Sequence, residues 1–239
     1  MSQAYDSFID KWRTRWPEWA VAEVFVPPAQ RQRTLAWFAL LQEFDDILNI
    51  GGDPLPADAK LGWWATELRD WSAQRSRHPL GRVLEPVRAP WAELAEALPE
   101  LTAARARPQD SEAAFAALAG FGAAVAAVEV AVLEGQAATP RQVVAQVLAQ
   151  RLAEAGLEAV PLALQSASGP AAASEQAQRA WANELMRAWP ARAAGPRPRR
   201  VWASLARQRL APVAAGRVPQ PGRQPLRVLW HAWRAAAGD

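Results

Sequence analysis

"LAWFALLQEFDDILNIGG", residues 35 to 52, decides how the chain is read. An apolar helical run meets an adjacent acid pair, Asp45 and Asp46, and stops at Gly51-Gly52, a good helix terminator. Upstream, "VFVPPAQRQR" places Pro27 and Pro28 at the start of the same segment, where a missing N–H costs nothing. The punctuation predicts a helix over about residues 29–50. Acids at a helix C-terminus oppose the macrodipole, so a purely structural role explains Glu43, Asp45 and Asp46 poorly. Adjacent acids there suit a magnesium ion and, through it, a diphosphate, because a hard cation takes oxygen ligands. One turn on, where a third carboxylate would complete the cluster, stands Asn49.

The rest of the composition agrees with helix. Ala, Leu, Arg, Glu and Gln dominate and strand formers are scarce, which predicts an all-α protein. With 239 residues, 51% of them apolar, the chain has enough material for a sizeable core. It has no cysteine, which excludes disulfides, thiolate zinc sites and cysteine nucleophiles. His78 and His231 stand far apart in sequence, which argues against a histidine zinc site or a Ser-His-Asp triad; His78, before Pro79, reads as closing a turn. "GFG" at 120–122 lies inside a helical pattern and predicts close helix packing rather than a phosphate loop. The longest uncharged stretch, Ala113 to Val128, has 16 residues, short of the roughly 20 a membrane span needs. The N-terminus has no signal-peptide pattern, and the expected location is cytoplasmic, extending to peripheral contact with the inner membrane.

Further helices are expected over about 4–22 (broken near Pro17), 57–75, 174–189, 199–210 and 224–237, with shorter ones in "RHPLGRVLEP" and "APWAELAEALPEL". One long apolar helix should open at Asp110-Ser111 and close at Gly135. Thr139-Pro140-Arg141-Gln142 fits a capping box for another that runs to Gly156. Trp12, Trp16 and Trp19 make a stripe of ordinary packing spacing. The organisation expected is a core over 1–166 and Arg/Trp-rich helices over 167–239 packed on the same domain, after a break at "SASGPAAAS". Charge is unevenly spread: from Arg179 onward twelve arginines face only Glu184 and Asp239, while the first 110 residues hold sixteen of the 24 acids.

"VFVPPAQRQRTLAWFALLQEFDDILN" resembles the squalene/phytoene synthase family, whose members carry an "LPxxxR…lYaFcRxxDDxxD" segment. Phe25, Pro27, Pro28, Arg31, Phe38, Ala39, Glu43, Asp45, Asp46 and Ile47 fall on matching positions. "WWATELRDWSAQRSRHPLGRVLEPV" is similar to the family's Trp-containing helix and "HP" turn, so the likeness covers about residues 20–90. It implies a single helical domain of the isoprenoid synthase type around a central cavity, with two acidic motifs on opposite walls binding Mg²⁺. Mg²⁺ would neutralise the diphosphate leaving group during head-to-head coupling. Carried over residue by residue, Asp45 and Asp46 would be metal ligands, and Arg31, Gln42 and Asn49 would meet substrate.

The chain departs from this pattern at three places. Asn49 replaces the third acid, Gln42 replaces an arginine, and the second motif is missing: where "NilRDxxeD" would stand the sequence reads "RQVVAQVLAQRLAEAGLEAVPLAL". Glu154 and Glu158 lie one turn apart there but read as a solvated pair, and Glu129 and Glu134 are spaced too badly to share a face. The expected function is therefore a non-catalytic binding or assembly protein with an isoprenoid or lipid ligand or a protein partner, needing no cofactor. A respiratory complex I assembly factor of the family has the same character. The alternatives are an active Mg²⁺-dependent prenyltransferase using Asp45, Asp46 and displaced glutamates, and a nucleic-acid binder using the basic end, which carries no recognisable nucleic-acid module. Asp45, Asp46 and Asn49 should face a pocket lined by the helix around 113–132. In the last helix Leu226, Leu229, Trp230 and Trp233 form one stripe, with Arg227, His231 and Arg234 on the other side. The stripe is expected to pack on the domain; the alternative is an anionic membrane surface, where indole sits at headgroup level and arginine meets phosphate. Arg192, Arg197, Arg199 and Arg200 should then remain in a Pro-rich loop as a basic patch for weak contact with an anionic membrane.

Overall fold

Proline starts and glycine or turn stops divide the chain into short and long helices, and the computed structural model describes residues 3–165, 173–190, 192–217 and 225–238. They are α1 (Gln3–Arg15), α2 (Trp19–Ala22), α3 (Pro28–Leu48), α4 (Leu55–Ser72), α5 (Gly81–Leu84), α6 (Trp91–Ala97) and α7 (Pro99–Ala103). There follow α8 (Ser111–Ala116), α9 (Ala119–Val132), α10 (Pro140–Ala155), α11 (Leu162–Gln165), α12 (Ala173–Ala188), α13 (Arg197–Ala214) and α14 (Pro225–Ala237). Three-residue-per-turn segments cover Glu23–Phe25 and Gly156–Ala159, and no strand occurs among the described residues.

Helix α3 is the axis of the molecule. Fourteen of its residues are buried, so it is enclosed on nearly every side rather than along one stripe. It packs against α1, α4, α5, α7, α9 and α10. Of the expected tryptophan stripe only Trp12 lies on α1; it meets Trp19 of α2 at 5.3 Å and Phe38 of α3 at 5.5 Å between ring centroids. Trp202 of α13 closes this cluster 4.3 Å from Phe38. Large aromatic side chains thus fill the middle of the bundle, where each buried one contributes about 1.5–3 kcal/mol.

Local chemistry explains most boundaries. Asp110 caps α8 by accepting from the Ala113 amide, and Thr139 caps α10 by accepting from the Gln142 amide. The capping box is only half made, because the Gln142 side chain instead accepts from the Ala194 amide. A Cβ on Gly122 would stand 2.6 Å from Val144 Cγ2 and 2.9 Å from the Pro140 carbonyl, so this glycine lets α9 and α10 touch. His78 is buried and accepts from the Leu80 amide, closing the turn before α5.

Three sequence expectations are corrected. The single helix from Asp110 to Gly135 is two helices, because the Glu100 carboxylate reaches in and accepts from the Phe121 amide at 2.7 Å, starting α9 anew. The loop expected to carry Arg197, Arg199 and Arg200 is the first turn of α13. Arg199 there is buried, and Arg200 donates to the Ala235 and Ala236 carbonyls. The α14 stripe is not the packed face: Leu226, Leu229, Trp230 and Trp233 are 80%, 38%, 49% and 54% exposed. Val228, Ala232 and Ala236 go inside instead, against α13 and the α2 region. Helices α12 and α13 pack on α10 and on each other. The expected boundary at 166/167, and most of the "SASGPAAAS" break, lie outside the described residues.

Candidate functional site

The last turns of α3 gather Gln42, Glu43, Asp45, Asp46 and Asn49, as their three- and four-residue spacing requires. Asn49 Nδ2 donates to Asp45 Oδ1 at 3.1 Å and to the Asp45 carbonyl at 2.9 Å. Gln42 Nε2 donates to Asp45 Oδ2 at 3.3 Å and to Asp46 Oδ1 at 2.9 Å. The remaining acid charge is met by lysine. Lys11 of α1 bridges Glu43 at 2.8 Å and Asp46 at 2.5 Å, and Lys60 of α4 reaches the other Glu43 oxygen at 2.5 Å. Burial pulls the Lys11 ammonium down, but its hydrogen bonds to Asp46 and Glu43 outweigh this and hold it above its ordinary value.

Glu43 and Asp45 are both buried, but Glu43 is paired with two lysines whereas Asp45 accepts from neutral amides. Desolvation pushes the Asp45 carboxyl up to about 7, with Arg15 opposing and the Asp46 and Glu154 charges adding to the rise. Near neutral pH it is divided between its charged and neutral forms. The end of α3 is then capped by cations from distant segments. Arg105 Nε donates to the Ile47 carbonyl at 3.1 Å, and Arg151 Nη1 donates to the Leu48 carbonyl at 3.2 Å. Arg151 also approaches Asn49 Oδ1 at 3.4 Å. These guanidiniums offset the conflict between the acids and the macrodipole.

Arg31 does not join this group. Its Nε donates to the Val26 carbonyl at 3.1 Å at the start of α3. Fourteen helical residues separate it from Asp45, about 21 Å at about 1.5 Å per residue. Glu154 pairs with Arg15 at 2.8 Å and Glu158 pairs with Arg107, so the two glutamates act separately. Glu134 is exposed and pairs with Arg33.

Glu129 is the acid whose role the spacing concealed. It is buried and accepts from Arg199 Nε at 2.8 Å and from Trp37 Nε1 at 2.8 Å. Arg199 Nη1 continues to Gln146 Oε1 at 2.9 Å, and its guanidinium carbon lies 4.9 Å from the Trp202 ring centre. This buried polar chain ties α3, α9, α10 and α13 together. Lys11, Lys60, Arg105 and Arg151 were equally hidden. The one available signal was lysine usage, since Lys11 and Lys60 are the only lysines among 27 basic residues and both meet Glu43.

Asp45 borders two spaces. One, of about 20 Å³, is lined by Phe121 and Val125 of α9 with Leu41, Gln146 and Arg199, and has room for about one water. It lies on the side where the pocket was expected, but of Asp45, Asp46 and Asn49 only Asp45 lines it. The larger, of about 380 Å³, lies among α1, α10, α12 and α13, against Trp16, Leu152, Gln178, Leu210 and Val213. Among the described residues no three Asp, Glu, His or Cys side chains are grouped to hold a metal ion. No protein-family model matches the chain, and no curated protein matches it.

Proposed function

We propose that the chain is a non-catalytic binding protein of squalene/phytoene synthase type, in which the acid pair on α3 has become a structural knot. The observation that carries this reading is the closed set of partners around those acids. Mg²⁺ demands near-octahedral oxygen ligands at about 2.0–2.1 Å. Both Asp45 oxygens already accept from fixed amides, and the Asp46 oxygens accept from Gln42 and Lys11. A metal would have to expel the Lys11 ammonium, turn two amides and ionise a buried carboxyl. The residues present do not fit it.

Helix α10 carries the segment aligned with the family's second acidic motif. It sends Arg151 toward Asn49, a cation where the resemblance implies a second carboxylate wall. A fixed guanidinium at that place takes over the neutralising role of a metal, but as part of the fold. The crevice of about 380 Å³ beside Asp45 falls within the roughly 300–1,000 Å³ of small-molecule sites. Its apolar wall suits an isoprenoid or lipid chain, and its occupation in turn suits the assembly-type role implied by the resemblance.

The test is an incubation of the purified chain with Mg²⁺ and farnesyl or geranylgeranyl diphosphate, with products extracted and chromatographed. Neither squalene nor phytoene is expected, while the same substrates should change tryptophan fluorescence through Trp16 in the crevice wall. Mg²⁺-dependent turnover that disappears in Asp45→Ala would overturn the proposal.

A further inference from the structure

From Leu185 to Gly238 the chain has eleven arginines and no acidic residue. Among the described residues, Arg199 is neutralised by Glu129 and Arg209 by Glu18. Others converge on a crevice of about 220 Å³ between the end of α12, α13 and α14. Arg192, Arg200, Arg207, Arg227, Arg234 and His231 line it, and no carboxylate does so among the described residues. Arg200 and Arg207 are held by neutral partners, the carbonyls of Gly195, Ala235, Ala236, Met186 and Trp189. Those bonds orient the guanidiniums without cancelling their charge. The field in the crevice is visible at His231: desolvation lowers its pKa, and the Arg227 and Arg234 charges lower it further.

Helix α14 has three faces roughly a third of a turn apart. Val228, Ala232 and Ala236 face the protein, with small side chains that let the helix sit close. Arg227, His231 and Arg234 face the crevice. Leu226, Leu229, Trp230 and Trp233 face outward and are exposed, an arrangement water penalises. The Arg234 guanidinium carbon stands 4.7 Å from the Trp230 ring centre, so charge and indole meet at one edge. No helix among the described residues is long and apolar enough to cross a membrane.

We propose that α14 and this crevice form a peripheral membrane-docking site that takes the phosphate headgroup of an anionic phospholipid. The arginine crevice receives the phosphate oxygens, while Leu226, Leu229, Trp230 and Trp233 enter the headgroup and upper acyl region. Tryptophan beside arginine suits that boundary, where indole is half wet and guanidinium meets phosphate. A nucleic acid would satisfy the arginines but offers no aliphatic environment for Leu226 and Leu229. The site lies away from the acid knot and stands independently of the binding function proposed above.

The experiment is co-sedimentation of the full chain with vesicles of phosphatidylcholine alone or mixed with phosphatidylglycerol, at low and high sodium chloride. Binding to the mixed vesicles, weakened by salt and at least tenfold weaker on phosphatidylcholine, is expected. The triple variant Arg192→Gln, Arg227→Gln, Arg234→Gln should weaken it about a hundredfold, at roughly fivefold for each surface arginine. Leu226→Gln with Trp230→Gln and Trp233→Gln should weaken binding comparably and remove the blue shift of tryptophan fluorescence on vesicles. All six substituted side chains are exposed, and unchanged melting confirms folding. Equal binding to both vesicle types, or unchanged binding by either folded variant, would overturn the proposal. So would saturation by inorganic phosphate with no vesicle binding, which marks a free-anion site, or preference for an oligonucleotide over vesicles.

Discussion

Replacing Asp45 by Asn tests how the acid knot is held. The Asp45 carboxyl lies at about 7 in the folded chain against an ordinary value of 3.8. The folded state therefore keeps a proton that the unfolded chain has released. Stability from this group is complete below pH 3.8 and is lost as pH rises through about 7. At about 1.36 kcal/mol per pH unit, the displacement amounts to about 4 kcal/mol, of which about 3 kcal/mol falls between pH 5 and pH 8. Asn fills the same space, keeps hydrogen bonds to the Gln42 and Asn49 amides, which can rotate to suit, and does not titrate. Measured by urea unfolding followed through tryptophan fluorescence, the stability of Asp45→Asn relative to the parent should rise by about 3 kcal/mol from pH 5 to pH 8. Working with the difference removes other titrations, notably His78. Desolvation lowers that group to about 4, against the Glu67 and Glu43 charges, so it favours the fold increasingly as pH rises toward 6.5. A difference that stays flat across this range would mean that Asp45 is ionised in the native state, contrary to its raised pKa.

Removing the charge from Arg199 by Arg199→Met should destabilise by about 3–5 kcal/mol, because Glu129 is left buried without its cation. Adding Glu129→Gln should restore much of the loss, and unfolding of both variants in urea decides it. Lys11→Ala and Lys60→Ala should each cost no more than about 1 kcal/mol, since both ammoniums are half exposed. Together they should cost about 1–3 kcal/mol beyond their sum, because Glu43 loses its last cation; a double-mutant cycle reads this directly. Gly122→Ala should lower stability by about 1–3 kcal/mol through contact with Val144 and the Pro140 backbone, visible as a lower melting temperature.

What the sequence disclosed was local in origin. The proline start and early stop of α3, the caps at Asp110 and Thr139, and the closeness at Gly122 all depend on residues within a turn or two. The grouping of Gln42, Asp45, Asp46 and Asn49 is likewise a consequence of helical spacing. The partners that define the site's character come from far along the chain: Lys11 from α1, Lys60 from α4 and Arg151 from α10. No periodicity carries such information. The same distance effect split the helix expected from Asp110 to Gly135, because Glu100 belongs to another segment. The α14 error had a different cause. The bulky stripe was the one expected inside, and the small stripe at helical spacing beside it was not considered. Close approach to α13 is possible only for the small stripe of Val228, Ala232 and Ala236.

Calorimetry decides whether the α3 acids are satisfied by their amide and cationic partners rather than by a metal. Mg²⁺ is titrated into the purified chain, alone and with inorganic diphosphate or farnesyl diphosphate. No saturable Mg²⁺-dependent heat is expected in either case, nor with Asp46→Asn. Saturable Mg²⁺-dependent diphosphate binding that is lost in both Asp45→Asn and Asp46→Asn would contradict that expectation.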